Sequence, residues 1–233
     1  MKKTVIISRI WIGTIGLCCA KEGGAAQLVA YRFSGAAGNE TSYASEELHA
    51  NTRVSEFSRG SGLGASSASN AFSARSWSTG GLDADDYFTF SIEPEPGYSL
   101  RLDAIELDER RSASGILEWS IRSSLDGFAF DLSPGPVVLT DNVSMRFDQH
   151  FGLDEDVFGG LVDSVEFRIF GYQAESTLGT WRVDNVEVFG GVTAVPEPKD
   201  WGMVVAISLV SVGMIRRRRQ KTKRGIPSGE VRG

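Results

Sequence analysis

Two acidic runs and one lone aspartate are the residues of this sequence best suited to chemistry. Asp83, Asp85 and Asp86 stand in "LDADDYF", and Asp154, Glu155 and Asp156 stand in "LDEDVF". Grouped carboxylates can hold a divalent cation or act as acid and base on a glycosidic bond. Neither run has the EF-hand order of alternating acids, turn glycine and distal glutamate, so both read as solvated turns. A glycosidase needs two carboxylates across a cleft, an arrangement that spacing alone neither makes nor removes. The histidines, His49 and His150, are widely separated and form no HExxH, which leaves zinc without a ligand set. No G-x-S-x-G elbow occurs, and "GSGLG" at 60–64 reads as a loop. No glycine-rich loop leads into a helix, so nothing supports a nucleotide site.

The elements that must position such residues are strands. "DYFTFSI" alternates, with Phe88, Phe90 and Ile92 on one face. "ILEWSIRSS" aligns Leu117, Trp119 and Ile121, and "SVEFRIFGY" aligns Val165, Phe167 and Ile169. "VSMRFDQHF" aligns Val143, Met145 and Phe147. These period-two runs are bounded by Gly, Pro, Asp and Ser. Only residues 43–51 suggest a short helix, with Ser45 as its cap and Glu46 and Glu47 in the first turn. Residues 58–69, rich in Ser and Gly, read as a long flexible loop, with Phe72 and Ala74 starting a strand after it. The fold class expected is all-β: a jelly-roll-like antiparallel β-sandwich of about ten strands.

Two strands change phase. Leu100 and Leu102 share a parity that Ile105 and Leu107 do not, and Trp181 and Val183 share one that Val186 and Val188 do not. Each strand needs an extra residue, at Asp103-Ala104 and at Asp184-Asn185, to keep its apolar face buried. That is a β-bulge, which can also aim a side chain at a site.

The chain ends read differently. Lys2, Lys3 and Arg9 accompany an apolar stretch from Val5 to Ala20, followed by "GGAAQ". This is the layout of a secretory signal peptide over residues 1–26, cut after Ala26 or alternatively after Ala20. A retained membrane anchor is the competing reading. Cys18 and Cys19 both lie within it, so an exported remainder has no disulfide and no thiol nucleophile. Residues 25–195 carry 11 arginines, no lysine and 26 acidic residues, a balance of −15, whereas residues 196–233 carry +6. An acidic domain repels phosphates, which argues against a nucleic-acid partner. At the C-terminal end the apolar run 201–215 has 15 residues. As a helix it spans about 22 Å, short of a hydrocarbon layer of about 30 Å. Arg216, Arg217, Arg218 and Arg219 follow as a stop-transfer cluster that stays cytoplasmic. Pro196 and Pro198 hold the preceding turn extended, within reach of a membrane enzyme.

Val195, Pro196, Glu197 and Pro198, the apolar run and the arginine cluster together resemble the PEP-CTERM sorting signal of Gram-negative bacteria, here over residues 193–233. The apolar run is shorter, and the tail beyond the arginines longer, than that pattern usually has. The resemblance implies export across the inner membrane by the secretion machinery and processing by exosortase, a membrane protease-transpeptidase. It also implies a place at the cell surface or in an extracellular matrix, linked to exopolysaccharide. The membrane would be a partner only until the helix is removed. Residues 27–192 would then be the ectodomain.

"GTWRVDNVEVFG" carries a second resemblance, to the closing strand of carbohydrate-binding-module-like jelly rolls. That resemblance implies a structural calcium ion held partly by Asp184. Among the aromatics able to stack on a sugar, Trp119 and Trp181 fall in phase with core residues, while Trp77 and Tyr172 read as freer, with Tyr98 a further candidate. Three functions stay open: a non-enzymatic structural or adhesive module, a lectin-like binder, and a secreted polysaccharide hydrolase.

Overall fold

The structure is a computed structural model that describes residues 25–141 and 144–196. Residues 1–24 of the expected signal peptide, Val143, Glu197, Pro198, the apolar run and the arginine cluster lie outside the described residues, while Ala26, the expected last residue of that peptide, stands first in β1.

The chain enters at β1 (Ala26–Tyr31) and passes through β2 (Ser42–Tyr43), β3 (Glu47–Leu48), β4 (Thr52–Val54) and β5 (Phe57–Arg59). β6 (Gly64–Ala65) and β7 (Phe72–Arg75) precede the longer β8 (Tyr87–Pro94), β9 (Tyr98–Arg111) and β10 (Glu118–Ser123). β11 (Val137–Val138), β12 (Arg146–Gly152), β13 (Val165–Tyr172) and β14 (Trp181–Ala194) complete the order. One helical turn, α1 (Glu155–Phe158), lies between β12 and β13.

The strands form two antiparallel sheets. One has the order β12-β9-β14-β1-β3, with β7 also paired to β14 and β6 to β7. The other has the order β11-β10-β13-β8-β5-β2, with β4 also paired to β8. Alternation explains how they face each other. Phe88, Phe90 and Ile92 are buried on β8 while Tyr87, Thr89 and Ser91 are half-buried. Val165, Phe167 and Ile169 are buried on the neighbouring β13. From the other sheet, Trp181, Val183, Val186 and Val188 join the same core. Removing each such side chain from water contributes roughly 1.5–3 kcal/mol, and this domain has no cysteine to supplement it.

Both expected bulges are present. Asp184 pairs with Asp108 and Glu187 with Glu106, so β14 carries one residue more than β9 across that interval. Phe189 pairs with Ala104 and Gly190 with Leu102, so Asp103 is the extra residue on β9. Asn185 takes the left-handed φ of +46° that absorbs the first kink.

Three expectations fail. Residues 43–51 are not helical: Glu46 N–H donates to Ala30 O and His49 N–H to Leu28 O, and the segment adds β3 to the edge of β1. The Glu46 carboxylate accepts from the Arg32 and Ser34 amides instead of capping a helix. The Ser/Gly stretch 58–69 is packed, with Gly60 N–H on Tyr87 O and Gly62 N–H on Asp85 O. A Cβ at Gly60 would stand 2.2 Å from Asp85 O, so glycine there serves close approach. Finally, Phe147 is 64% exposed and Phe151 is buried in its place. A third irregularity, between Arg146 and Gln149, inverts the phase of β12, with Asp148 at φ +53°.

Candidate functional site

The acidic runs turn out to fasten loops. Asp154 caps α1, its Oδ1 accepting from Asp156 N–H at 3.0 Å. Asp83 accepts from Asp85 N–H at 2.9 Å. Asp86 is buried and accepts from Ser78 N–H at 2.7 Å, and burial raises its pKa. The histidines stand apart on the surface, His49 against Ala50 O and His150 against Glu106.

The buried face of the β9/β14 ladder gathers more. β9 places Ile105, Leu107, Glu109 and Arg111 in one buried row, so a glutamate and an arginine occupy positions of apolar phase. Glu109 is fully buried. Arg146 on β12 engages both its oxygens, through Nε to Oε1 and through Nη2 to Oε2 at 3.0 Å. The Trp181 indole N–H donates to Oε2 at 2.8 Å. Pairing with Glu109 holds the Arg146 guanidinium above its ordinary pKa. The carboxylate is satisfied from two sides, as a buried charge must be.

Asp184, at the bulge, leaves the opposite face of the same ladder. Its Oδ1 accepts from Asn185 N–H at 2.8 Å. Its register partner Asp108 is buried, with Oδ1 on Asp148 N–H and Oδ2 on the Asn185 amide at 2.7 Å. Burial, opposed by the Asn185 N–H and reinforced by the negative charges of Asp108 and Glu46, raises the Asp184 carboxyl to about 6. Calcium takes six to eight oxygens. Among the described residues no group of three or more Asp, Glu, His or Cys is placed to hold a metal. Asp184 has Asp108 and Glu46 as neighbouring carboxylates, and its Oδ1 and both Asp108 oxygens already accept hydrogen bonds.

That elevated pKa has a consequence for stability. A carboxyl with a folded-state pKa raised above the unfolded value favours folding while protonated. The contribution is complete below about 4 and is lost as pH rises through about 6. Asp184→Asn keeps the oxygen that accepts from Asn185 and removes the charge. After discounting for partial exposure, it is expected to stabilise the domain by about 1 kcal/mol at pH 8 and to change nothing at pH 4. Thermal melts at the two pH values check this, and an equal effect at both would contradict it. The same melts with calcium and with a chelator test the ion: coincident curves leave Asp184 as a bulge residue alone.

The aromatic candidates for a sugar platform divide unexpectedly. Trp119 and Trp181 are fully buried, as their phase indicates. Trp77 is fully buried as well, and Tyr172 is 7% exposed. Neither can present a face to a ligand. Tyr98 remains half-buried at the start of β9. The Glu109–Arg146 pair escaped notice in the sequence, although a glutamate following Ile105 and Leu107 at the same parity is its visible signal.

The fold defines an all-β protein of two antiparallel sheets, one of them carrying a buried carboxylate paired between neighbouring strands β9 and β12. Among known protein families, curated proteins and solved structures, nothing matches the chain.

Proposed function

We propose that this chain is an exported protein, sorted by exosortase to the cell surface or extracellular matrix. There its jelly-roll-like sandwich serves as a non-enzymatic structural or adhesive module in contact with exopolysaccharide. The observation that carries this reading is how the domain ends. β14 runs to Ala194, and Val195 N–H still donates to Gly97 O at 2.8 Å. The next residues are Pro196, Glu197 and Pro198, then the apolar run and Arg216 to Arg219. The sandwich thus hands over to the sorting-like segment without a linker. The entry strand lies beside this exit: Gln27, the first residue after the expected cut, pairs with Phe189, so both ends of the domain lie at one end of one sheet.

The adhesive role is preferred to the hydrolytic one because the acidic residues have structural partners. Asp86, Asp108, Glu109 and Asp154 each accept hydrogen bonds that hold the fold.

Intact-mass analysis of the mature protein from its native host tests the sorting reading. The expected mass lacks residues 201–233. Surface-located protein that retains the arginine tail would show that the segment is a plain anchor.

A further inference from the structure

Arg110 on β9 and Arg182 on β14 are direct register partners, so their side chains leave the same face of the sheet. Seven of the domain's arginines, for example Arg111 and Arg146, are ion-paired to a carboxylate. The guanidinium groups of Arg110 and Arg182 make no ion pair or hydrogen bond among the described residues, although their backbones pair in the ladder. Like charges directly opposite across an antiparallel pair are destabilising. Here they persist in a domain with more than twice as many acidic residues as basic ones. Arg182 is partly desolvated, and its pKa is lowered first by that burial and then by Arg110, with Asp184 opposing.

Both arginines line a concavity of about 440 Å³, with Arg111 also on its wall. That volume lies within the usual range of small-molecule sites, about 300–1,000 Å³. The rest of the lining is rich in hydroxyls, from Ser67, Ser112 and Thr180 among others. The Ser112 Oγ accepts from Thr180 N–H at 2.9 Å, which fixes the oxygen and leaves its proton to donate. The hydroxyls of Ser67 and Thr180 bond to no other described residue. Arg111 is already held by Glu175, Ser112 O and Ala113 O, so it contributes a fixed wall rather than a free fork.

We infer that this groove is a binding site for an acidic sugar, with Arg110 and Arg182 gripping its carboxylate or sulfate ester and the hydroxyls bonding its ring substituents. Guanidinium forks match planar oxyanions, and an anion between two arginines removes their mutual repulsion. Serine and threonine hydroxyls both donate and accept, as sugar hydroxyls do. The domain's net charge is negative, so two unpaired guanidiniums side by side supply a local attraction for an anion. The inference deepens the adhesive reading and rests on it only for where the ligand is met.

Titration calorimetry of the purified full chain tests it, with trigalacturonate, an uncharged galactose trimer and inorganic sulfate as probes. Trigalacturonate is expected to bind and to weaken with added salt, while the uncharged trimer does not bind. Arg110→Gln/Arg182→Gln is expected to weaken binding about 100-fold, roughly tenfold for each guanidinium removed from the anion. Its melting temperature should hold or rise, because a like-charge pair is relieved. Arg110→Lys keeps the charge, loses the fork and is expected to cost about tenfold, which provides a second variant if the double one folds poorly. Absence of trigalacturonate binding overturns the site, as does equal binding by the variants or by the uncharged trimer. Sulfate binding as tightly as the trimer acid would reduce it to an ion site without a sugar. None of these outcomes bears on the mass of the mature protein, so the sorting reading stands or falls separately.

Discussion

Arg146→Met is expected to destabilise the domain by about 3–5 kcal/mol, because it strands a charge in the core. At about 2–4 °C per kcal/mol for a domain of this size, the melting temperature falls by roughly 6–20 °C. Methionine keeps most of the apolar stem, so the loss reports the guanidinium rather than a cavity. Glu109 is fully buried and would keep only the Trp181 N–H. Adding Glu109→Gln to the same chain should recover much of the loss. The charge is then gone, and the amide oxygen can still accept from the indole. Thermal and denaturant melts of the two singles and the double form the cycle that measures the coupling. A single variant within about 1 kcal/mol of the parent would place the pair among ordinary surface salt bridges and contradict its burial.

Trp77→Ala is expected to cost about 3–5 kcal/mol. The indole lies edge-on to Phe88 at 5.2 Å and to Trp181 at 5.3 Å, and its N–H donates to Ala74 O at 3.1 Å. Gly171 passes so close that a Cβ there would meet the ring at 2.9 Å. Removing the indole opens a void among rigid aromatics, which cannot close over it. Circular dichroism melts read the loss directly. A variant with unchanged stability would return Trp77 to the surface, as its Ser/Gly neighbours in the sequence suggest.

That misplacement shows where sequence reading reaches its limit here. The long strands were legible because period-two burial is written in adjacent residues: Phe88, Phe90 and Ile92 need no tertiary knowledge. The bulges at Asp103 and Asp184 were legible for the same reason, since a break in parity is local. Trp77 follows β7 with no alternation of its own, and what buries it is β13 and β14, far along the chain. The left-handed turn at Ser76, φ +70°, directs the chain there, and no residue type at that position announces it. Phe147 failed by the same route, through an irregularity at Asp148 that hid inside an apparently regular run. The arginine pair illustrates a further limit. Arg110 and Arg182 are more than seventy residues apart in sequence, and only the register of β9 against β14 sets them opposite each other.

Under the proposed adhesive role, β14 would also decide how load is carried. It starts at Trp181, beside the arginine groove, and ends at Ala194, where the chain leaves the sandwich. At about 3.3 Å per residue, Arg182 and Ala194 stand roughly 40 Å apart along one strand. A polymer gripped at Arg182 and a tether pulling at Val195 would act on opposite ends of the same covalent backbone. The tension would then run along peptide bonds, while the ladder to β9 and β1 lies perpendicular to it. A domain pulled in this direction resists as a cable does, and its sheets need not peel apart for the attachment to hold.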